Sequence, residues 1–567
     1  MATIKIPGFK QYNTSPNTRA VDETDVTEAL NVYWSGNTLV MRDGSSLWKN
    51  TVQTNWGRIA KAVTYKRRND DFFYVVVAMT NGRVFFIESD NINFGGASAT
   101  WTELESELGT FPALTPDGEK YSLFVFNNLL YLADSTNAYF SWDGTAAGIT
   151  LETNPPNLGA ANIVDFDVKS NRLVALDDAG KTHLSAVNDG TDFTTLSGGG
   201  SLDYGRTEGL IATNVVSFND DLIITTEDRL SVKYQAYRLF GIKFYDPAVV
   251  GSDTSQFEVR KVNTAASIIG ESGQEIVGDT IGLSRNGFVS LLSVINKDVI
   301  SERDYLSFPI KELIRNINFQ ASDKISSTTD INGRYFCAVP YGDDATEANV
   351  IFCYDYRRSS VSEGIYRWSL LTFDSFIEIA ALFTIQGQAY ATDTSGNIYK
   401  LNDSEAIYTD ADANNNKVAI NAVVKTAAIG GQEIGTEKEF REITFLLTNI
   451  YEDFDLNVDL IANGKFIAED IDGSPYRPIH IELPVGTLLY DTPGLLYDDF
   501  NLYDSGGTDQ RVVTLVNRGG RANSIQWQFS TNAKGVSWGL GSISIEADAV
   551  ELANESGKNN AGLHHSV

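Results

Sequence analysis

From Phe218 to Tyr234 the chain reads FNDDLIITTEDRLSVKY: an Asn-Asp-Asp turn, a β-branched run, a second polar turn, then apolar and polar residues in alternation. The pattern recurs. RNDDFFYVVVAMTNGRVFFIES starts at Arg68, FNNLLYLADSTNAYFSWDG at Phe126 and KSNRLVALDDAGKTHLSAV at Lys169. IVGDTIGLSRNGFVSLLSV follows at Ile276, INGRYFCAVPYG at Ile331 and IQGQAYATDTSGNIYKLND at Ile385. Polar turns flanking runs of Val, Ile, Tyr and Phe predict β-hairpins. Consecutive starts lie 43 to 58 residues apart, room for about four short strands per unit, which is the spacing of propeller blades. One such sheet cannot bury both of its faces alone; stacking around an axis covers them and leaves only short edges. The expectation is an all-β chain with a β-propeller of six or seven blades over residues 51–402. An array of β-sandwiches also accommodates the strands, but the spacing favours the propeller.

The texture changes after Asp403. Residues 403–417 are rich in turn formers and acids with little to bury, and read as a linker. Asp410, Asp412, Asn414 and Asn416 imitate the start of a calcium loop, but an EF-hand needs Gly at Asn415 and an acid at Asn421, so a solvated turn is the expected form. Period-two alternation returns in 418–550 (EFREITFLLTNI, FDLNVDLIA, NSIQWQFST), predicting a second, sandwich-like β domain. Residues 551–567 read as a loose tail, and residues 1–50 as an N-terminal segment able to complete another domain. Within the second domain, LLYDTPGLLYDDFNLYDSGG repeats Tyr-Asp at Tyr490, Tyr497 and Tyr503, a pairing suited to a partner or a sugar as well as to an exposed loop.

Composition narrows the function classes. The 567 residues are 42% apolar and 21% charged, a globular balance, with 25 Tyr and 30 Phe favouring strands. Net charge is −30, and Lys66 to Arg68 is the one basic run. Gripping a phosphate backbone requires clustered cations, so tight nucleic-acid binding is not expected, although an acidic surface lets DNA pass without sticking. The N-terminus has no apolar core of a secretory signal, and no apolar run reaches the roughly eighteen residues of a membrane span. Cys337 and Cys353 occupy two strands joined by a polar loop; centred on that loop, they would lie opposite each other. A reducing compartment favours two buried thiols over a disulfide.

Catalytic chemistry leaves little trace. His183, His480, His564 and His565 are the four histidines, and none stands at metal-ligand spacing. P-loop, G-x-S-x-G and H-E-x-x-H motifs are absent. The Gly-rich LSGGGS at Leu196 precedes no helix pattern, and with 74 acids a carboxylate pair is uninformative. SAVNDGTDF, Ser185 to Phe193, suggests the Asp-box turn of sialidase propellers, but with the wrong spacing and a single occurrence. No enzyme, cofactor, metal or catalytic residue is expected.

The passage from His183 to Tyr234 resembles one that recurs in tail hub, or nozzle, proteins of short-tailed bacteriophages, with Ser185, Asp189, Asp192 and Phe193 at comparable places and Asn188 departing from the usual acid. EALNVYWSGNTLVMRDG resembles that family's opening through Asn31, Tyr33, Arg42 and Gly44, with Asp43 in place of a customary Pro. Further on, Gly287, Ser301 and Ile310 fall in register with a third block. The likeness spans roughly residues 28–403.

That resemblance implies a structural virion protein of the phage tail, assembled in the host cytoplasm. It would form a homo-oligomeric ring, expected as a hexamer, below portal and adaptor proteins. It would retain packaged DNA, pass it through the lumen on ejection without specific binding, and dock a tail fibre, spike or needle, with no stable membrane insertion. The alternative is a carbohydrate-binding or glycan-active propeller using Trp101, Trp142, Trp368 and Tyr490 as platforms.

Overall fold

The computed structural model describes residues 2–16, 21–49, 55–68, 70–91, 94, 100–106, 112–115, 121–136, 139–144, 148–156, 158–194, 200–204, 210–228, 233–243, 255–374, 378–430, 438–450, 452–463, 465–467, 478–481 and 511–549. The chain divides into two compact units, one of residues 42–420 and one of residues 1–41 with 421–567.

Residues 42–420 form a β-propeller. The innermost strands are, in chain order, Ile59–Tyr65, Ser122–Phe126, Ile163–Lys169, Ile211–Phe218, Gln274–Ile276, Ser326–Thr329 and Ile379–Ile385. Each packs against the next, and the last against the first, closing a ring. Six of them begin four-stranded antiparallel blades; Gln274–Ile276 begins a three-stranded sheet between the fourth blade and the fifth. Each of the seven recurring sequence segments falls on the turn between an innermost strand and the second strand of a different sheet. Several are two-residue turns between directly paired residues, as Phe126 with Leu129, Lys169 with Arg172 and Ile385 with Gln388. Their central residues have positive φ (Asn127 44°, Asn128 74°; Ser170 51°, Asn171 57°; Gln386 48°, Gly387 81°), the conformation that matches strand twist in a hairpin and that Asn and Gly adopt most readily. The next turn is held by an aspartate. Asp177 Oδ1 accepts from the Ala179 and Lys181 N–H groups at 3.0 and 2.7 Å, and Asp393 Oδ1 from Ser395 and Asn397 at 2.9 and 2.8 Å.

The core lies between blades. Along Tyr74–Met79, Val76 and Ala78 join a cluster with Leu130, Leu132 and Trp142 of the second blade. Val75, Val77 and Met79 face the other way, onto Trp48, Phe383 and Tyr390. Leu173 and Ala175 likewise pack on the second blade while Val174 and Leu176 pack on the fourth. Burying a Val, Leu or Phe side chain stabilises by about 1.5–3 kcal/mol, so a blade lacking one neighbour forfeits several such contributions.

The final blade is completed from the other end of the propeller sequence. Gly44–Lys49 pairs antiparallel with Ile398–Asp403 as its fourth strand, and Thr409–Ala411 adds alongside through a parallel pairing of Asp410 with Ser45. Gly44 is required by space, because a Cβ would overlap the Thr409 backbone oxygen. Asp410 is fully buried. It receives Arg42 through Nη1 at 2.9 Å and Nη2 at 2.5 Å, and Ser45 through its N–H at 3.1 Å and Oγ at 2.8 Å. Arg42 also donates to the Thr372 carbonyl and stacks over Phe373.

Three expectations change here. Residues 403–417 are not a linker: they carry strands Thr409–Ala411 and Lys417–Ala419 and belong to the propeller unit, because Arg42 neutralises the acid that made the segment read as solvated. Residues 1–50 are divided, with 42–49 closing the propeller and 1–41 joining the other unit. Val339 pairs with Val350, which sets Cys337 opposite Phe352 and Cys353 opposite Phe336. The two thiols therefore point to opposite faces of the sheet and are free and buried.

The second unit has two antiparallel sheets. One orders Val32–Ser35, Thr38–Met41, Gly539–Ala549, Lys438–Thr448 and Arg511–Ala522, with Ala2–Ile6 also on Gly539–Ala549. The other runs Val26–Leu30, Ala422–Thr426, Ile525–Thr531, Phe454–Ala462 and Lys465–Ile467. Phe445 of the first meets Phe529 of the second edge to face at 5.1 Å. Phe454, Leu456, Val458 and Leu460 are buried while Asp455 and Asn457 are exposed, the single buried face of the sequence alternation.

Replacing Arg42 by Ala leaves Asp410 buried without its counter-charge, an arrangement that costs about 3–5 kcal/mol. Urea unfolding of Arg42→Ala should show a loss of that order, and Asp410→Asn a smaller one. An unchanged midpoint for Arg42→Ala would contradict the role given to this pair.

Candidate functional site at the propeller axis

Four innermost strands carry a β-bulge near their start, where the register slips between Ile59 and Lys61, Ile163 and Asp165, Ala212 and Asn214, and Ile379 and Ala381. A bulge re-aims the side chains that follow it. Polar residues on the innermost strands bond across to neighbouring ones, which belong to separate sheets. Asp165 accepts from Ser122 Oγ of the second blade at 2.5 Å and from the Val215 N–H of the fourth at 2.9 Å, tying three blades together. Ser217 Oγ donates to Asp167, Thr280 Oγ1 to the Ser217 carbonyl at 2.7 Å, and Ser327 Oγ to the Glu271 carbonyl at 2.6 Å. Ser326 Oγ accepts the Leu382 N–H at 2.9 Å, and Thr328 and Thr384 share a hydroxyl bond at 2.5 Å.

Lys61 reaches Glu271 at 3.0 Å, joining the first blade to the segment that leads into the three-stranded sheet, which is not its ring neighbour. The ion pair thus spans the axis. A cavity of about 250 Å³ opens beside it, lined among others by Arg58, Tyr121, Thr213, Glu227 and Lys324. Its charges are engaged within the protein: Arg58 with Glu347 by two bonds of 2.7 Å, Glu227 with Ser322 Oγ at 3.0 Å, and Lys324 with Asp323 at 3.0 Å.

Burial governs the acids. It raises Asp165 above the ordinary aspartate range, against the pull of Lys61 and of the Ser122 and Val215 bonds. Asp167 is pushed up to about 7 by burial, opposed by the Val168 N–H and Ser217. Burial alone would lower the Lys61 ammonium, but Glu271 and Asp165 raise it. The sequence carried a signal for these residues, since Asp165 and Asp167 are acids inside the apolar run IVDFDV; it is lost among 74 acids until the ring exists.

The residues singled out in the sequence have structural surroundings. His183 Nε2 lies 2.9 Å from Asp177 Oδ2, both buried, while Ser185 Oγ donates to the Ala186 carbonyl and accepts the Leu173 N–H, so no nucleophile–base pair forms there. Asp189 and Asp192 each cap a turn through the N–H and hydroxyl of Thr191 and Thr194, and Phe193 packs into the core between the second and third blades. His480 contacts Asp455 at 2.9 Å on the surface. Asp412 closes a turn onto Asn414 and Asn416. Among the described residues no group of three or more His, Cys, Asp or Glu is placed to hold a metal ion. The Cys337 thiol is pushed up to about 12 by burial, which suppresses thiolate chemistry. Trp101, Trp142 and Trp368 are core residues at 3%, 2% and 0% exposure, not platforms for a sugar. LSGGGS, Tyr490, Tyr497, Tyr503, His564 and His565 lie wholly or mainly outside the described residues.

No protein-family model matches the chain, and no curated protein matches it. Solved structures to which it is similar include the computationally designed Ika8 protein, at 12% identity over 70% of this chain and 99% of that chain with a TM-score of 0.36. The WD40 β-propeller domain of Doa1 aligns at 10% identity over 63% and 97%, TM-score 0.36. BamB from Moraxella catarrhalis aligns at 9% identity over 71% and 98%, TM-score 0.32. The propeller class stands on the chain's own sheet order.

The raised Asp167 value fixes a pH dependence. The folded state holds this proton more tightly than the unfolded chain, so the contribution to stability is full below about pH 4 and is lost as pH rises through about 7. Asp167→Asn should remove that loss, gaining on the order of 4 kcal/mol at pH 8 relative to its difference from the parent at pH 4. Chemical unfolding at the two pH values measures it; parallel curves for both proteins would refute the assignment.

Proposed function

We propose that this chain is a structural virion protein, a ring-forming subunit of the distal tail tube (hub or nozzle) of a short-tailed bacteriophage. The observation that carries the reading is the use made of the residues on which the resemblance rests. Asn31, at φ 54°, donates to the Asn421 carbonyl at 2.7 Å inside the second unit. Arg42 and Gly44 lock the strand that closes the propeller. Gly287, at φ 143°, lies where a Cβ would overlap Ser307 Oγ; Ser301 caps the turn that ends in Asp304; Ile310 is fully buried. These positions serve architecture, as expected of a rigid part that works by contact. Such a protein acts mechanically: copies meet around a cyclic axis, hold DNA behind them, and open at ejection.

In this reading DNA travels through the lumen enclosed by several copies and not along the propeller axis, which the Lys61–Glu271 pair crosses. The net charge of −30 supports passage without adhesion. Portal and adaptor rings lie above, and a fibre, spike or needle docks below.

Electron microscopy of the purified chain mixed with portal and adaptor proteins of the same phage tests the proposal. A closed ring of this chain at the adaptor's distal end is the expected result. A protein that stays monomeric and associates with neither component would overturn it.

A further inference from the structure

The three-stranded sheet ends at Ser290, and in place of a fourth strand the chain makes short helical turns: Leu291–Val294, Glu302–Asp304, Phe308–Ile310, Lys311–Ile314 and Phe319–Lys324. With the Arg285–Asn286 turn, the segment from Ile300 to Phe319 lines a cavity of about 420 Å³, within the size of ordinary ligand pockets. Its apolar walls are Ile300, Phe308, Ile314 and Phe319, and its cations are Arg285, Lys311 and Arg315, against Glu302 as the one lining carboxylate. In a chain of net charge −30, three cations on one pocket run against the composition.

The pocket frame does not depend on those cations. Tyr305 donates to the Ala265 carbonyl at 3.1 Å and accepts from Asn286 Nδ2 at 3.2 Å, while Ser307 Oγ accepts the Phe288 N–H at 2.9 Å. Lys311 meets Glu302 at 3.0 Å and Arg315 meets Glu312 at 2.6 Å. Both pairs are substantially solvent-exposed, where a pair is worth about 0–1 kcal/mol, so an arriving carboxylate can exchange for either.

We propose that this pocket takes an acidic, aromatic-bearing segment from a second copy of the chain, residues 488–507. That segment, LLYDTPGLLYDDFNLYDSGG, holds four Asp, nine Leu, Tyr or Phe, and no Lys or Arg. Aromatic anchors filling an apolar floor inside a ring of charge-assisted bonds make the efficient form of such contacts. The inference goes beyond the tail reading and does not rest on it, since self-association through this pocket needs no phage component.

The test is fluorescence anisotropy of a labelled synthetic peptide of residues 488–507. It is titrated with the full chain carrying Asp491→Asn, Asp498→Asn, Asp499→Asn and Asp504→Asn, so that its own segment does not compete. Saturable binding that weakens as salt rises is expected, because screening acts over about 10 Å at 0.1 M. Adding Arg285→Ala, Lys311→Ala and Arg315→Ala should weaken it by about tenfold or more. Should that variant fail to fold, a peptide with Asn at its four Asp reads the same contact from the other side and should lose binding equally. Absence of binding, or equal affinity for the triple variant or for the Asn peptide, overturns the proposal.

Discussion

A sheet that is apolar on both faces cannot stand at the end of a stack, and this constraint organises the propeller. Alternate residues of the second strands face opposite neighbours, Val76 one way and Val77 the other, so every blade needs a partner on each side. Only a closed ring gives every blade two. Closure then falls on the last blade, whose fourth strand is Gly44–Lys49, and on the buried Arg42–Asp410 pair that fixes where that strand begins. A buried pair of this kind adds little net stability over an apolar substitute but is costly to break. Its value here is positional: it sets register at the one joint where sequence neighbours cannot.

The axis follows a different rule. Innermost strands of adjacent blades are not paired by backbone, and their polar side chains supply the missing bonds. Asp165 joins three blades and Lys61–Glu271 spans the middle. Acids held this way are expensive when ionised, which is why burial raises Asp165 and Asp167. Charges paired to this degree serve cohesion.

The functional proposal has the same character. The residues on which the proposed tail-hub reading rests sit at the closing strand, at turns and at caps. Of the candidates singled out in the sequence, His183 lies on Asp177 and three tryptophans lie in the core. What remains unusual on the surface is the cationic pocket beside the three-stranded sheet, where the blade pattern itself lapses.

Local chemistry made much of this legible in advance. Asn and Gly at positive φ, Asp capping the following turn and β-branched runs between them act over a few residues, so all seven innermost hairpins and the strand class of the described part of residues 418–550 could be read from the sequence. Pairings between distant segments could not. Gly44–Lys49 finds Ile398–Asp403, and Arg42 finds Asp410, 368 residues away; until they meet, 403–417 has the composition of a linker and the first fifty residues have no visible division. The cysteines differ from expectation by one residue of register, set by the pairing of Val339 with Val350 beyond what loop symmetry suggests. The sequence by itself determined the blades, because each is a local solution to turn chemistry and strand propensity. Only the tertiary structure decided where the ring closes and which acids are buried at its axis, because those depend on contacts that exist only once both ends of the propeller are in place.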